Sequence, residues 1–155
     1  MKKVKGVEFD RSLHAVDVAN EIKSGHFGVE EVSQLHRAWD IAVKPKDKDQ
    51  YFLATGPGTA AALAFGWRDS HPVIRSGVDG ADYAIIEFMD VEYIVSRYNR
   101  VFLGTGDNKM QPVAAELIKR GVEVTIVVRK GALHHSYFGI GAKIIYLDAA
   151  WALAA

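Results

Sequence analysis

The feature that most constrains this chain is a repeated change of hydrophobic period. Short apolar or β-branched runs at 13–18, 51–55, 72–75, 100–105, 122–128 and 144–147 alternate with stretches whose apolar residues recur at helical spacing. The helical stretches are 29–43, where Val29, Val32, Leu35, Trp39 and Ala42 share a face, then 59–67, 81–98, 111–120 and a short piece at 132–138. In 81–98 the stripe is Tyr83, Ile86, Met89, Tyr93 and Ile94. Gly121 stands where a C-terminal cap is needed. Strands alternating with helices imply βαβ crossovers, so the expected fold is an α/β three-layer sandwich with a mainly parallel central sheet of about five to six strands. The aromatic residues Trp39, Phe52, Phe65, Tyr83 and Tyr93 fall at apolar positions and are expected in the core.

At 155 residues, with no internal repeat or low-complexity tract, one domain over 1–155 with a core at about 12–148 accounts for the chain. The tail 149–155 reads as a frayed helix or a docking segment. Cysteine is absent, which excludes disulfides, thiolate metal sites and thiol catalysis. A metal site would be built from Asp, Glu, Asn or His, a donor set suited to Mg²⁺ or Mn²⁺. The basic start Met1-Lys2-Lys3 has no long apolar run behind it, so neither a leader nor a membrane span is expected, and the cytoplasm is the expected location. Net charge is zero, but 97–147 holds eight Lys and Arg against three acids, an asymmetry that would give a polyanion-facing side. Solvated helix faces explain it equally well.

In an open parallel sheet, ligands bind beyond the carboxyl ends of the strands. Asp17 ends the first strand, with Asn20 three residues on, and Asp107 follows the strand ending at Thr105. Asp82, with Asp79 just before it, opens the helix after the third strand. Carboxylates converging on one point repel unless a cation neutralises them. Asp79, Asp82 and Asp107 are each explained as readily by helix capping or turns. Asp17 lies in an otherwise apolar strand with no evident capping role, and burial there is costly without a partner.

These residues resemble the NYN domains of the PIN-like nuclease superfamily. Val16-Asp17-Val18-Ala19-Asn20 is similar to the opening strand motif, and Gly77-Val78-Asp79-Gly80-Ala81-Asp82-Tyr83-Ala84 to the segment opening the central helix. Leu103-Gly104-Thr105-Gly106-Asp107 resembles the family's S-G-D motif, and the run from Gly121 to Val128 with Gly131-Ala132-Leu133 its C-terminal half. The resemblance implies a metal-dependent endoribonuclease: Asp17, Asp82 and Asp107 as catalytic ligands of Mg²⁺ or Mn²⁺, Asn20 and Thr105 holding water or phosphate, and RNA as substrate. Where relatives carry a second acid two residues after Asp107, this chain has Lys109, which would lower metal affinity or bind phosphate directly. Asp79, Glu87 and Asp90 are candidates to compensate, Asp90 only from outside the direct ligands because it falls about two turns beyond Asp82. Lys130, with His134 and His135 after it, is an expected phosphate contact. Dimers are common in this superfamily, and Trp151-Ala152-Leu153 would offer a contact; a toxin held by a protein regulator fits equally.

Two other readings stand beside this one. The first is an RNA-binding regulatory module of the same fold that has lost catalysis, motivated by Lys109. The second is a nucleotide or dinucleotide site at Gly56-Pro57-Gly58-Thr59-Ala60-Ala61, with Arg75 as a phosphate partner; it sits after the second strand, and Pro57 removes a backbone donor. A Ser-His-Asp hydrolase is unsupported, since the chain has no G-x-S-x-G elbow.

Overall fold

The computed structural model describes residues 10–24, 26–67, 72–74, 85–86 and 89–155. Among them six strands form one sheet: β1 (Ser12–Asp17), β2 (Gln50–Thr55), β3 (Pro72–Ile74), β4 (Arg100–Gly104), β5 (Glu123–Val128) and β6 (Lys143–Tyr146). Their order is β3-β2-β1-β4-β5-β6, and every pairing is parallel. In register, Ala15 faces Phe52 on one side and Leu103 on the other. All six residues of β1 are buried, as a central strand covered on both faces requires.

Six helices connect the strands among the described residues: α1 (Val18–Ile22), α2 (Val29–Val43), α3 (Ala60–Gly66), α4 (Val91–Arg97), α5 (Gln111–Lys119) and α6 (Asp148–Leu153). They make two apolar layers around the sheet. On one face Val32, Leu35 and Trp39 of α2, Leu63 of α3 and Ala150 of α6 pack over Val16, Leu53 and Val127. On the other, Ile94 of α4 with Ala114 and Leu117 of α5 pack over Leu13, Ala15, Leu103 and Ile126. Gly104 admits this packing, because a Cβ there would lie 2.9 Å from Val16 Cγ1 and 3.0 Å from the Trp39 ring. The three-layer α/β sandwich is thus present.

Some local expectations are corrected. The 81–98 stretch is not one helix: Met89 and Asp90 are non-helical, and α4 starts afresh at Val91 with Asp90 Oδ1 accepting the Tyr93 N–H at 3.2 Å. The restart shifts the helical phase, so Ile94 is buried while Tyr93 is 40% exposed under the Arg97 guanidinium. Asp90 thus serves as the N-terminal cap of α4. Phe65 is also surface, 68% exposed, because it lies two residues from buried Leu63 and so on the opposite side of α3. In place of a helix over 132–138 only a single 3-10 turn forms, His135–Tyr137.

The tail docks within its own chain. Gln34 Nε2 donates to the Trp151 carbonyl at 2.9 Å, Arg37 donates to the Ala154 carbonyl at 2.8 Å, and the Arg129 guanidinium stacks on the Trp151 ring at 4.7 Å. No helix among the described residues is long and apolar enough to cross a membrane.

Candidate functional site at the strand-order reversal

Strand order reverses between β1 and β4, and the carboxyl ends of these two neighbours open a crevice where such sheets bind ligands. Asp17 ends β1 and Asp107 lies three residues beyond β4, so this crevice receives both. The helix after β1 and two loops are tied together there. Asn20 Oδ1 accepts the Gly106 N–H at 3.4 Å, joining α1 to the loop after β4. Gly106 O accepts the His134 N–H at 2.9 Å, and Lys23 Nζ donates to the Lys130 carbonyl at 3.2 Å, bringing in the loop after β5. Gly106 is required by this approach, since a Cβ would fall 2.1 Å from the Ala132 carbonyl oxygen.

The expected residues that the structure describes have definite places. Asp17 is 6% exposed and does cap a helix: its Oδ1 accepts the Asn20 N–H at 3.2 Å. The strand ends and α1 begins at this very residue, so the capping role that its apolar context concealed is supplied by the chain turning directly into a helix. Asp107 Oδ1 accepts the Lys109 N–H at 2.9 Å, and its Oδ2 lies 3.5 Å from Lys109 Nζ. Thr105 is fully buried, with Oγ1 accepting the Asp107 N–H at 3.2 Å, so its hydroxyl holds the loop from beneath. The Tyr137 hydroxyl donates to the Asp107 carbonyl at 2.5 Å. Lys130 is exposed at the rim; its N–H donates to Asp148 Oδ2 at 2.8 Å. Asp79, Asp82, Glu87 and Arg75 lie outside the described residues.

The residue that sequence reasoning passed over is Glu21. It is completely buried, and both carboxylate oxygens lack a hydrogen-bond partner among the described residues. Burial pushes its pKa well above the ordinary carboxyl value, and the neighbouring Asp17 charge pushes it further, against the pull of Arg129. Its spacing points to Asp17 only once α1 is known to begin there, since a glutamate four residues after a helix-capping aspartate returns to nearly the same face.

Among the described residues no three His, Asp or Glu come together as a group able to hold an ion by themselves. Mg²⁺ needs fewer, being held by one or two carboxylates with waters and substrate phosphates. The orphaned oxygens of Glu21, one helical turn after Asp17, are the feature that fits such a cation: carboxylate donors already out of water that no hydrogen bond engages among the described residues.

The expectation at the glycine-rich loop after β2 fares differently. Gly56 and Gly58 face open space where a Cβ would sit, and neither has positive φ, so no close backbone approach demands glycine there. Their loop follows β2, away from the order reversal. The second buried polar constellation is His14 in the middle of β1. Its Nδ1 accepts the Trp39 indole N–H at 2.9 Å and its Nε2 meets Asp49 Oδ2 at 2.8 Å, with Tyr51 and Phe102 stacked on either side at 4.6 and 4.8 Å. Burial holds this imidazole below its ordinary pKa of 6.5, and Asp49 opposes that shift.

No family model matches the chain, and no curated protein does. Among solved structures it is similar to the crystal structure of a protein of unknown function from Vibrio parahaemolyticus RIMD 2210633, at 14% sequence identity and a TM-score of 0.65, with 91% of this chain and 94% of that one covered. At that identity the likeness is one of fold.

Proposed function

We propose that this chain hydrolyses RNA phosphodiester bonds with Mg²⁺ or Mn²⁺ held at Asp17 and Asp107, with Asp82 as the third ligand. The observation that supports this best is the meeting of the end of β1, which bears Asp17, and the loop bearing Asp107 at the β1/β4 crevice, tied by the Asn20–Gly106 hydrogen bond. A divalent cation supplies Lewis-acid activation and charge neutralisation at a phosphodiester when bound.

The chain's own residues hold the frame for that chemistry. Asn20 and Thr105 fix the two loops, so the acidic side chains are positioned before substrate arrives. Lys130 at the rim, with Lys109 beside Asp107, offers positive charge to the RNA backbone. The test is cleavage of single-stranded and hairpin RNA in Mn²⁺ by the parent, Asp17→Asn and Asp107→Asn proteins. Each substitution is expected to lower the rate at least a hundredfold. Variants that cut as fast as the parent would sink the mechanism.

The Lys109–Asp107 ion pair favours a second reading, an RNA-binding module without catalysis, because Lys109 itself neutralises one of the acids. RNA binding that persists in chelator, with no cleavage in any divalent metal, would establish it in place of the first.

A further inference from the structure

Asp17 and Asp107 leave without a role a fully buried acid one helical turn beyond Asp17. Glu21 lies on α1, four residues after the aspartate that caps that helix. Four steps of about 100° bring it to within roughly 40° of the same face. Its side chain is fully buried and both carboxylate oxygens are without a hydrogen bond among the described residues.

A buried carboxylate calls for a cation or a proton. The neighbouring cation, Arg129, has its hydrogen bonds directed elsewhere. Its Nε donates to Asp148 Oδ1 at 3.1 Å, its Nη1 to the main-chain oxygen of Glu21 at 3.5 Å, and its flat face rests on Trp151. Asp17 adds a second negative charge to the same neighbourhood. A buried carboxylate that no hydrogen-bond donor meets among the described residues, with a second carboxylate one helical turn before it, suits a hard divalent cation.

We infer that Glu21 is a ligand of the divalent cation, supplying on α1 the second carboxylate that Lys109 denies to the loop after β4. This rests on the metal-binding reading of Asp17 and names a ligand that reading did not contain. It also explains how an acid site can tolerate a lysine next to Asp107: the charge lost there is restored from the first helix.

The experiment is Mn²⁺ binding by the full chain, read by electron paramagnetic resonance of free Mn²⁺ and by the Mn²⁺-induced rise in melting temperature. It compares the parent with Glu21→Gln, Glu21→Asp and Asp17→Asn proteins. Glu21→Gln keeps the shape and removes the charge. It is expected to melt no lower than the parent in chelator, yet to bind Mn²⁺ at least tenfold more weakly. Glu21→Asp keeps the charge on a shorter stem, and is expected to bind Mn²⁺ more tightly than Glu21→Gln while melting lower in chelator. Should Glu21→Gln not fold, a Glu21→Asp protein whose Mn²⁺ affinity and thermal shift equal the parent's overturns the assignment, and a weakened one supports it. Equal Mn²⁺ affinity in the parent and Glu21→Gln overturns it while leaving Asp17 as a ligand, provided that Asp17→Asn abolishes binding. A parent that binds no Mn²⁺ overturns both this assignment and the reading beneath it.

Discussion

Replacing Trp39 by Phe tests the buried polar core of the sheet, because one indole N–H fixes the state of a histidine. Trp39 Nε1 donates to His14 Nδ1 at 2.9 Å, and both side chains are fully buried. With Nδ1 accepting, the imidazole proton is on Nε2 and donates to Asp49 Oδ2 at 2.8 Å. The tautomer is therefore held from both ends. Phe at position 39 orphans a buried acceptor, worth about 1–3 kcal/mol, and the smaller ring adds about 1 kcal/mol of lost packing. The opposite tautomer offers no escape, since an unprotonated Nε2 would face the Asp49 carboxylate. The total, about 2–4 kcal/mol, corresponds to a fall in melting temperature of roughly 5–15 °C for a domain of this size.

The pH dependence gives a second readout. In the parent, burial keeps the folded imidazole below its ordinary pKa of 6.5, so the unfolded chain binds the extra proton first. This contribution to stability is fully present above about pH 6.5 and is lost as pH falls through the folded value. With the indole gone, Nδ1 can accept a proton, the folded pKa rises, and the acid-side loss shrinks. Urea unfolding at pH 5 and pH 8 measures both effects. A Trp39→Phe protein within 0.5 kcal/mol of the parent, or one with the parent's pH dependence, would refute the reasoning.

Three further outcomes are expected. Gly106→Ala places a Cβ 2.1 Å from the Ala132 carbonyl oxygen, so the loops must part, with a loss of about 2–4 kcal/mol by chemical denaturation and weaker Mn²⁺ binding. Lys109→Ala removes the cation 3.5 Å from Asp107 Oδ2, and calorimetry is expected to show Mn²⁺ affinity raised severalfold; unchanged affinity would mean that Asp107 does not bind the ion. Glu21 has a raised folded pKa, so without metal its contribution is present below the unfolded value of 4.5 and lost as pH rises through the folded one. Glu21→Gln in chelator is therefore expected to be more stable than the parent at pH 8 and equal to it near pH 4, and an unfolding series across that range checks this.

What the chain alone determined is whatever short-range periodicity carries. The β-branched run of β5, the amphipathic spacing of α2 and the glycine at position 121, with φ of +90°, each specify local geometry that the fold retains. From these follow the α/β class and the placing of Asp17 and Asp107 at the ends of strands. Strand order, however, is a matter of long-range pairing. Only the sheet makes β1 and β4 neighbours and so turns two aspartates 90 positions apart in sequence into one crevice. Tertiary packing also decided which polar groups lose water. Glu21 loses all contact with water only in the folded chain, where Asp17 and Arg129 are charged neighbours, and His14 is held at both ring nitrogens only when Trp39 and Asp49 meet it. Desolvation depends on everything within a few ångströms in space, which a pattern read along the chain does not contain.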